Sequence, residues 1–72
     1  MELIQLKRNE EGVIVTEGGP VERRFSSFGN LKSALGKAGI NPFNQTEAFA
    51  LLVERGVATL EIPQGKSDAF YS

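Results

Sequence analysis

The amino-acid sequence predicts an α+β fold, in which an antiparallel sheet of three to four strands carries a pair of helices on one face. Three short segments with strand character come first, two segments with helical periodicity follow, and another alternating strand comes after them. The predicted order is therefore β-β-β-α-α-β. We expect a single α+β domain over residues 1–66 and a polar C-terminal tail over residues 67–72.

The first two strands are predicted from apolar runs on either side of a turn. Residues 3–6 are LIQL, and residues 13–16 are VIVT. The segment NEEG (9–12) between them favours a hairpin, because Asn is common at the start of a type I turn and Gly accepts a positive φ at its end. Every residue of VIVT is β-branched, so we expect a central strand packed on both faces.

A third strand is predicted over VERRFS (21–26). The preceding EGGP (17–20) breaks the ladder, because two glycines and a proline do not continue a strand. Val21, Arg23 and Phe25 alternate with polar and charged residues, so they share one face of the strand. We expect this strand to lie at an edge of the sheet.

The first helix is predicted over residues 28–38, with Ser27 or Ser26 as its N-cap. Gly39 fits the C′ position after the helix, and Ile40 can supply the apolar contact that accompanies a Schellman ending. Apolar residues at helical spacing form one stripe that we expect to face the sheet. The stripe consists of Phe28, Leu31, Leu35 and Ala38.

The second helix has two alternative starts. Asn41 can cap it with Pro42 at the first helical position, or Asn44 can cap it with Glu47 three residues later in a capping box. Gly56 is expected to end it. The stripe predicted to be buried consists of Ala48, Phe49, Leu52 and Val53.

The last strand is predicted over VATLEI (57–62), where apolar residues alternate with others. PQGK (63–66) stops this strand. The patterns together predict a core that contains Ile14, Phe28, Leu35, Phe49, Leu52 and Leu60.

The composition excludes several kinds of chemistry. The 72 residues include no cysteine and no histidine, so the chain forms no disulfide, no thiolate metal site and no Ser-His or Cys-His nucleophile. Nothing in the sequence places two carboxylates together for acid–base work. We therefore expect a protein that is not an enzyme and that uses no cofactor and no metal.

The charge and hydropathy patterns predict a soluble, cytoplasmic protein without membrane contacts. Eight basic and nine acidic residues give a net charge of −1, so the chain lacks the overall positive charge that is typical of nucleic-acid-binding proteins. No apolar stretch approaches the ~20 residues that span a bilayer. The N-terminal segment MELIQLKRNEE lacks the pattern of a signal peptide.

The segment Gly36-Lys37-Ala38-Gly39 has two interpretations. A G-x-x-G loop between two helices, flanked by strands, is the arrangement by which KH-type modules clamp a single nucleic-acid strand, and Lys37 would then meet phosphate. Alternatively, Gly36 lies in the last helical turn and Gly39 is a C-cap, an ending that is common in helices. We favour the second interpretation.

Six residues are candidates for contacts with a partner or with phosphate. Arg23 and Arg24 lie on the predicted edge strand, and Lys32 and Lys37 on the first helix. The alternative for the arginines is a solvated edge whose charges prevent aggregation. The tail carries two aromatic residues, which either form a short strand that seals the sheet or contact a partner. These residues are Phe70 and Tyr71.

The sequence therefore predicts a small non-catalytic protein-interaction module: an accessory subunit, an inhibitor or a regulator. It would bind another protein or a second copy of itself, since the strand edges at 21–26 and 57–62 invite pairing. The alternative is a nucleic-acid-binding domain that uses Lys32, the 36–39 loop and the Arg23–Arg24 strand.

Overall fold

The computed structural model of the chain describes residues 2–19 and 21–71. It confirms the predicted α+β class and element order, and it adds a short helix at the C-terminus. The elements are β1 (Glu2–Arg8), β2 (Ile14–Glu17), β3 (Arg24–Phe25), α1 (Phe28–Lys37), α2 (Pro42–Glu54), β4 (Val57–Ile62) and α3 (Ser67–Tyr71).

The four strands form one antiparallel sheet in the order β3-β2-β1-β4. The two strands expected to offer edges, β3 and β4, are the outer strands. The hairpin between β1 and β2 forms as predicted: the Asn9 side-chain oxygen accepts the N–H groups of Glu11 and Val13, both at 3.0 Å. Gly12 closes the turn with a φ of 85°.

The sheet buries one face. Along β2, Ile14 and Thr16 are buried while Val15 is half-buried. The expectation that this strand is packed on both faces is therefore wrong, because β-branched composition does not distinguish a strand covered twice from one covered once. The strand begins at Ile14 instead of Val13.

The third strand is shorter than predicted, with two residues in place of six. The Arg23 N–H donates to the Thr16 hydroxyl oxygen at 2.8 Å. In a longer strand pair it would donate to the Thr16 backbone carbonyl instead. Gly18 then turns the chain with a φ of 75°. The side chain of Val21 is exposed. Pro20, which we expected to help break the ladder, lies outside the described residues.

Helix α1 begins at the predicted cap and has the predicted type of ending, one residue earlier than expected, at Lys37. The Ser27 side-chain oxygen accepts the Asn30 N–H, and Ser27 has the extended backbone of an N-cap. Gly39 adopts a φ of 81°. Its N–H donates to the Gly36 carbonyl, and the Ile40 N–H donates to the Leu35 carbonyl. These two bonds are the 5→2 and 6→1 bonds of a Schellman ending.

Helix α2 begins with the first of its two predicted caps. The Asn41 side-chain oxygen accepts the Asn44 N–H at 2.8 Å, and Pro42 occupies the first turn. Gly56 follows the helix with a φ of 77°, as predicted. One assignment in the buried stripe is wrong, because Val53 is 58% exposed. The buried side chains of this helix are Gln45, Ala48 and Leu52.

The described part of the segment expected to be a polar tail is the helix α3. Phe70 is 0% exposed and lies 5.7 Å from Phe25, measured between ring centroids. A Phe side chain gains free energy from burial, and this gain holds the short helix against the rest of the chain. Ser72 lies outside the described residues.

The predicted core is largely confirmed. Ile14, Leu35, Leu52 and Leu60 are buried. The other two members, Phe28 and Phe49, are half-buried and pack against the core. Their rings meet edge to face with centroids 5.4 Å apart. They therefore close the outer side of the contact between α1 and α2 instead of filling the centre.

Candidate binding surfaces

Within residues 2–19 and 21–71, no strand pairs with the outer edge of β4, and the register identifies the backbone groups that this edge presents. The Arg8 N–H donates to the Gly56 carbonyl at 2.8 Å. Antiparallel strands alternate between hydrogen-bonded and non-hydrogen-bonded pairs, so every second residue after Gly56 bonds to β1. The N–H and C=O groups of the residues between them point away from the sheet. These outward residues are Val57, Thr59 and Glu61.

The edge of β4 carries few of the features that prevent strands from pairing. Its six residues, VATLEI, include no glycine, proline or lysine. The edge at β3 is different: it is two residues long and includes Arg24. By the same alternation, Arg24 is the residue of β3 whose backbone groups point outward. An added strand therefore has three residues to pair with at β4 and one at β3.

A groove lies between β4 and α2. Two hollows of about 230 Å³ and about 220 Å³ share Asn44 and Glu61, so they form one furrow beside the edge strand. The charged residues in its lining are Glu47 on α2 and Glu61 on β4. We call this furrow the β4 groove. Its lining residues are Gly39, Ile40, Asn41, Asn44, Glu47, Ala48, Leu51, Thr59, Leu60, Glu61 and Pro63.

A second groove, of about 260 Å³, lies between β3 and α1. It brings together Arg23, Arg24 and Lys37, three residues that the sequence identified separately. Asn30 and Ser33 add polar side chains, and none of the described residues that line it is acidic. We call it the basic groove.

The fourth predicted cation, Lys32, does not belong to the basic groove. Asn30, Ser33 and Lys37 recur at intervals of three and four residues, so they share one side of α1. Lys32 is two positions after Asn30, which places it on the opposite side of the helix.

Arg23 is held in place by contacts from other elements. Its guanidinium carbon lies 4.9 Å from the centroid of the Phe25 ring, and its Nη1 donates to the Phe70 carbonyl at 2.9 Å. Phe25 is 1% exposed, so the arginine covers a ring that no ligand reaches. The Phe70 carbonyl belongs to α3, so the C-terminal helix helps to position one of the residues that line the basic groove.

Gly36-Lys37-Ala38-Gly39 forms a helix ending, as we favoured. Lys37 is the last residue of α1 and Ala38 is its C-cap. Gly36 lies inside the last helical turn, and Gly39 takes the left-handed conformation after it. Lys37 is therefore on a helix instead of at the middle of a loop.

The two C-terminal aromatic residues differ in accessibility. Phe70 is buried, so it offers no surface to a partner in this structure. Tyr71 is half-buried, and its ring contacts the Phe70 ring with centroids 5.0 Å apart. Burial, with a smaller contribution from the Glu2 carboxylate, raises the pKa of Tyr71 above the usual value for tyrosine.

Helix α2 also carries an exposed apolar face that the sequence patterns did not reveal. Phe43 is 70% exposed, and Val53 is exposed on the same side. A hollow of about 430 Å³ on this face is lined by Phe28, Thr46, Phe49, Ala50, Val53 and Glu54. Residues 43, 46, 50 and 53 have the spacing of a second helical stripe, which is the signal that could have identified it.

Comparison of the chain with protein-family models, curated protein sequences and solved structures finds no match. Among the helices formed by residues 2–19 and 21–71, none is long and apolar enough to cross a bilayer.

Proposed function

We propose that this chain is a non-catalytic protein-interaction module, which binds an extended segment of another protein by strand addition to β4. The observation that carries the proposal is the outward row of backbone groups at Val57, Thr59 and Glu61 on an unprotected edge. Main-chain hydrogen bonds to such an edge supply affinity, and pockets for alternate side chains supply specificity.

The β4 groove supplies those pockets. Side chains of an added strand would alternate between the two faces of the sheet, and those on the helical face would enter the groove. There they would meet the side chains of Ala48 and Leu51 and the carboxylate of Glu47. The Glu61 side chain alternates with the buried Leu60 and Ile62, so it lies on the opposite face of the edge strand. An extended segment with apolar and basic side chains on one face complements this lining.

Charge favours another protein over a second copy as the occupant. A second β4 would bring the sequence VATLEI, which includes an acidic residue and no basic one. Pairing of two copies would also bring both copies of Glu47 and Glu61 towards one seam, where like charges repel. A basic segment from another chain would instead pair with these carboxylates.

A proline at position 59 tests the proposal. The Thr59 N–H points outward, so Thr59→Pro removes a donor from the free edge and leaves the bonds between β1 and β4 in place. Thr59→Val is the matched control, because it keeps the N–H and suits a strand. Circular dichroism and a thermal melt establish that both variants fold.

The measurement is affinity capture from host extract, followed by direct titration of each captured protein in purified form. We expect wild type and Thr59→Val to capture and bind the same protein, and Thr59→Pro to bind it at least about tenfold more weakly. If Thr59→Pro does not fold, the pair Glu47→Lys and Glu61→Lys replaces it, because these exposed charge reversals should repel a basic segment. Equal binding by the edge-blocked and wild-type proteins, or no capture by wild type, would contradict strand addition.

Nucleic-acid binding, the alternative from sequence, has one favourable observation, which is that Arg23, Arg24 and Lys37 line one groove. Two features weigh against it. Lys37 ends a helix instead of standing in a clamping loop, and the aromatic ring in the groove lining, Phe25, is buried beneath Arg23. A nucleic-acid strand would need exposed rings for stacking.

A further inference from the structure

We propose that the basic groove between β3 and α1 binds a single phosphate group. Three cationic residues from two elements line it, together with the polar side chains of Asn30 and Ser33. Hydrogen bonds from ionised donors to phosphate oxygens are the strong ones, and Arg and Lys are the usual partners. This site is separate from the β4 groove, which lies at the other edge of the sheet.

Arg23 presents a fixed guanidinium to the groove. The Phe25 ring beneath it and the Phe70 carbonyl at 2.9 Å define its position. A planar guanidinium held in this way loses less conformational entropy on binding an anion than a mobile side chain does. The groove therefore contains one preorganised cation, Arg23, and is bordered by two exposed ones, Lys37 on α1 and Arg24 at the free edge of β3.

The backbone around the groove offers an anion one favourable donor and one unfavourable helix end. The Thr16 N–H donates to the Arg23 carbonyl at 3.0 Å, so by alternation the Arg24 N–H points to the free edge. The C-terminus of α1 would oppose an anion through its carbonyl oxygens. The Schellman bonds occupy the carbonyls of Leu35 and Gly36. The positive charge of the Lys37 ammonium offsets the remaining negative end of the helix dipole.

The size of the groove favours one phosphate over a strand of them. Its volume of about 260 Å³ is below the ~300–1,000 Å³ of pockets for drug-sized ligands. The aromatic residue in its lining, Phe25, is buried, so the described lining offers no exposed ring on which bases could stack. The ligand is therefore inorganic phosphate or the phosphate monoester of a small molecule, which share the same dianionic group.

A titration at constant ionic strength, monitored by ¹⁵N–¹H NMR, tests the proposal. The probes are inorganic phosphate, N-acetyl phosphoserine amide and a ten-residue oligothymidylate. We expect both phosphates to shift the amide signals around residues 23–25 and 30–37 with saturable, millimolar binding. Tighter binding of the monoester identifies a phosphorylated small molecule as the ligand type, and equal binding identifies phosphate itself.

Three alanine variants make the test specific, and all three sites are exposed, so the variants should fold. Arg24→Ala and Lys37→Ala should weaken phosphate binding by about fivefold or more, because each removes a charged donor. Lys32→Ala is the matched control: it removes the same charge from the other side of α1 and should change affinity less than about twofold.

Three results would overturn the proposal: equal weakening by all three variants, no saturable shift with either phosphate, or binding of the oligonucleotide alone. Thr59→Pro should leave phosphate binding unchanged. A negative result for strand addition at β4 would therefore not contradict phosphate binding in the basic groove, and the reverse also holds.

Discussion

Two glycines separated by two residues have opposite conformational roles, and alanine substitution should distinguish them. Gly39 has a φ of 81°, where a Cβ is penalised, so Gly39→Ala should lower the free energy of unfolding by about 1 kcal/mol. Gly36 lies inside α1 with open space where its Cβ would stand, so Gly36→Ala should raise it by about 0.5–1 kcal/mol. Urea denaturation measures both.

Lys37→Ala completes this comparison. Through the helix dipole, a lysine in the last turn contributes only ~0.3–1 kcal/mol, and salt screens it. We therefore expect the free energy of unfolding of this variant to lie within about 1 kcal/mol of the wild-type value. A Gly39→Ala protein as stable as the wild type would mean that the helix ends in another way.

Capping residues were predictable from sequence because their chemistry is local. The side chains of Ser27 and Asn41 accept N–H groups three residues further along the chain. Gly39 reverses the backbone directly after the helix it ends. The position of Arg23 was not predictable. Its guanidinium depends on the Phe70 carbonyl, 47 positions along the chain, and no local pattern encodes that contact.

At the level of elements, α2 has two apolar faces, and paired substitutions test which one is the core face. Leu52 is buried, so Leu52→Ala should cost about 2–5 kcal/mol, enough to unfold much of so small a domain. Val53→Ala, the next position along, should cost less than about 0.5 kcal/mol because its side chain is exposed. Thermal and urea unfolding compare the two variants, and a Leu52→Ala protein of full stability would contradict the burial of that face.

The same helix explains why the sequence predicted Val53 wrongly. Apolar residues lie on both the inner side of α2, at Ala48 and Leu52, and the outer side, at Phe43 and Val53. Periodicity identifies a face only when the opposite face is polar, so it could not decide between these two. The C-terminal helix α3 was missed for another reason, since five residues are too few to show a helical period.

Across the whole molecule, the two edges of the sheet carry opposite charge. Each edge strand borders a helix and leaves a groove, acidic beside β4 and basic beside β3. A net charge of −1 conceals this separation, because composition sums charges that the fold holds apart. The sequence could predict which segments form edges, and it could name the cations, but only the fold shows which of them meet.

The free β4 edge and the exposed apolar face of α2 predict weak self-association of the isolated protein. Both surfaces are uncovered in the described residues, and such edges and patches promote contact between copies. Repulsion between copies of Glu47 and Glu61 should keep association through β4 weak at low salt. Added salt screens that repulsion, so association should increase from low to moderate ionic strength.

Sedimentation velocity over micromolar to submillimolar concentrations measures this behaviour. Wild type and Thr59→Val should show a weight-average mass that rises with concentration, and more steeply with added salt. Thr59→Pro should reduce the rise if β4 is the contact, whereas Val53→Asp should reduce it if the apolar face of α2 is. Val21→Asp is the control for the second variant, because it adds the same charge at another exposed valine. A wild-type protein that sediments as a monomer at every concentration and salt would show that neither surface pairs with itself.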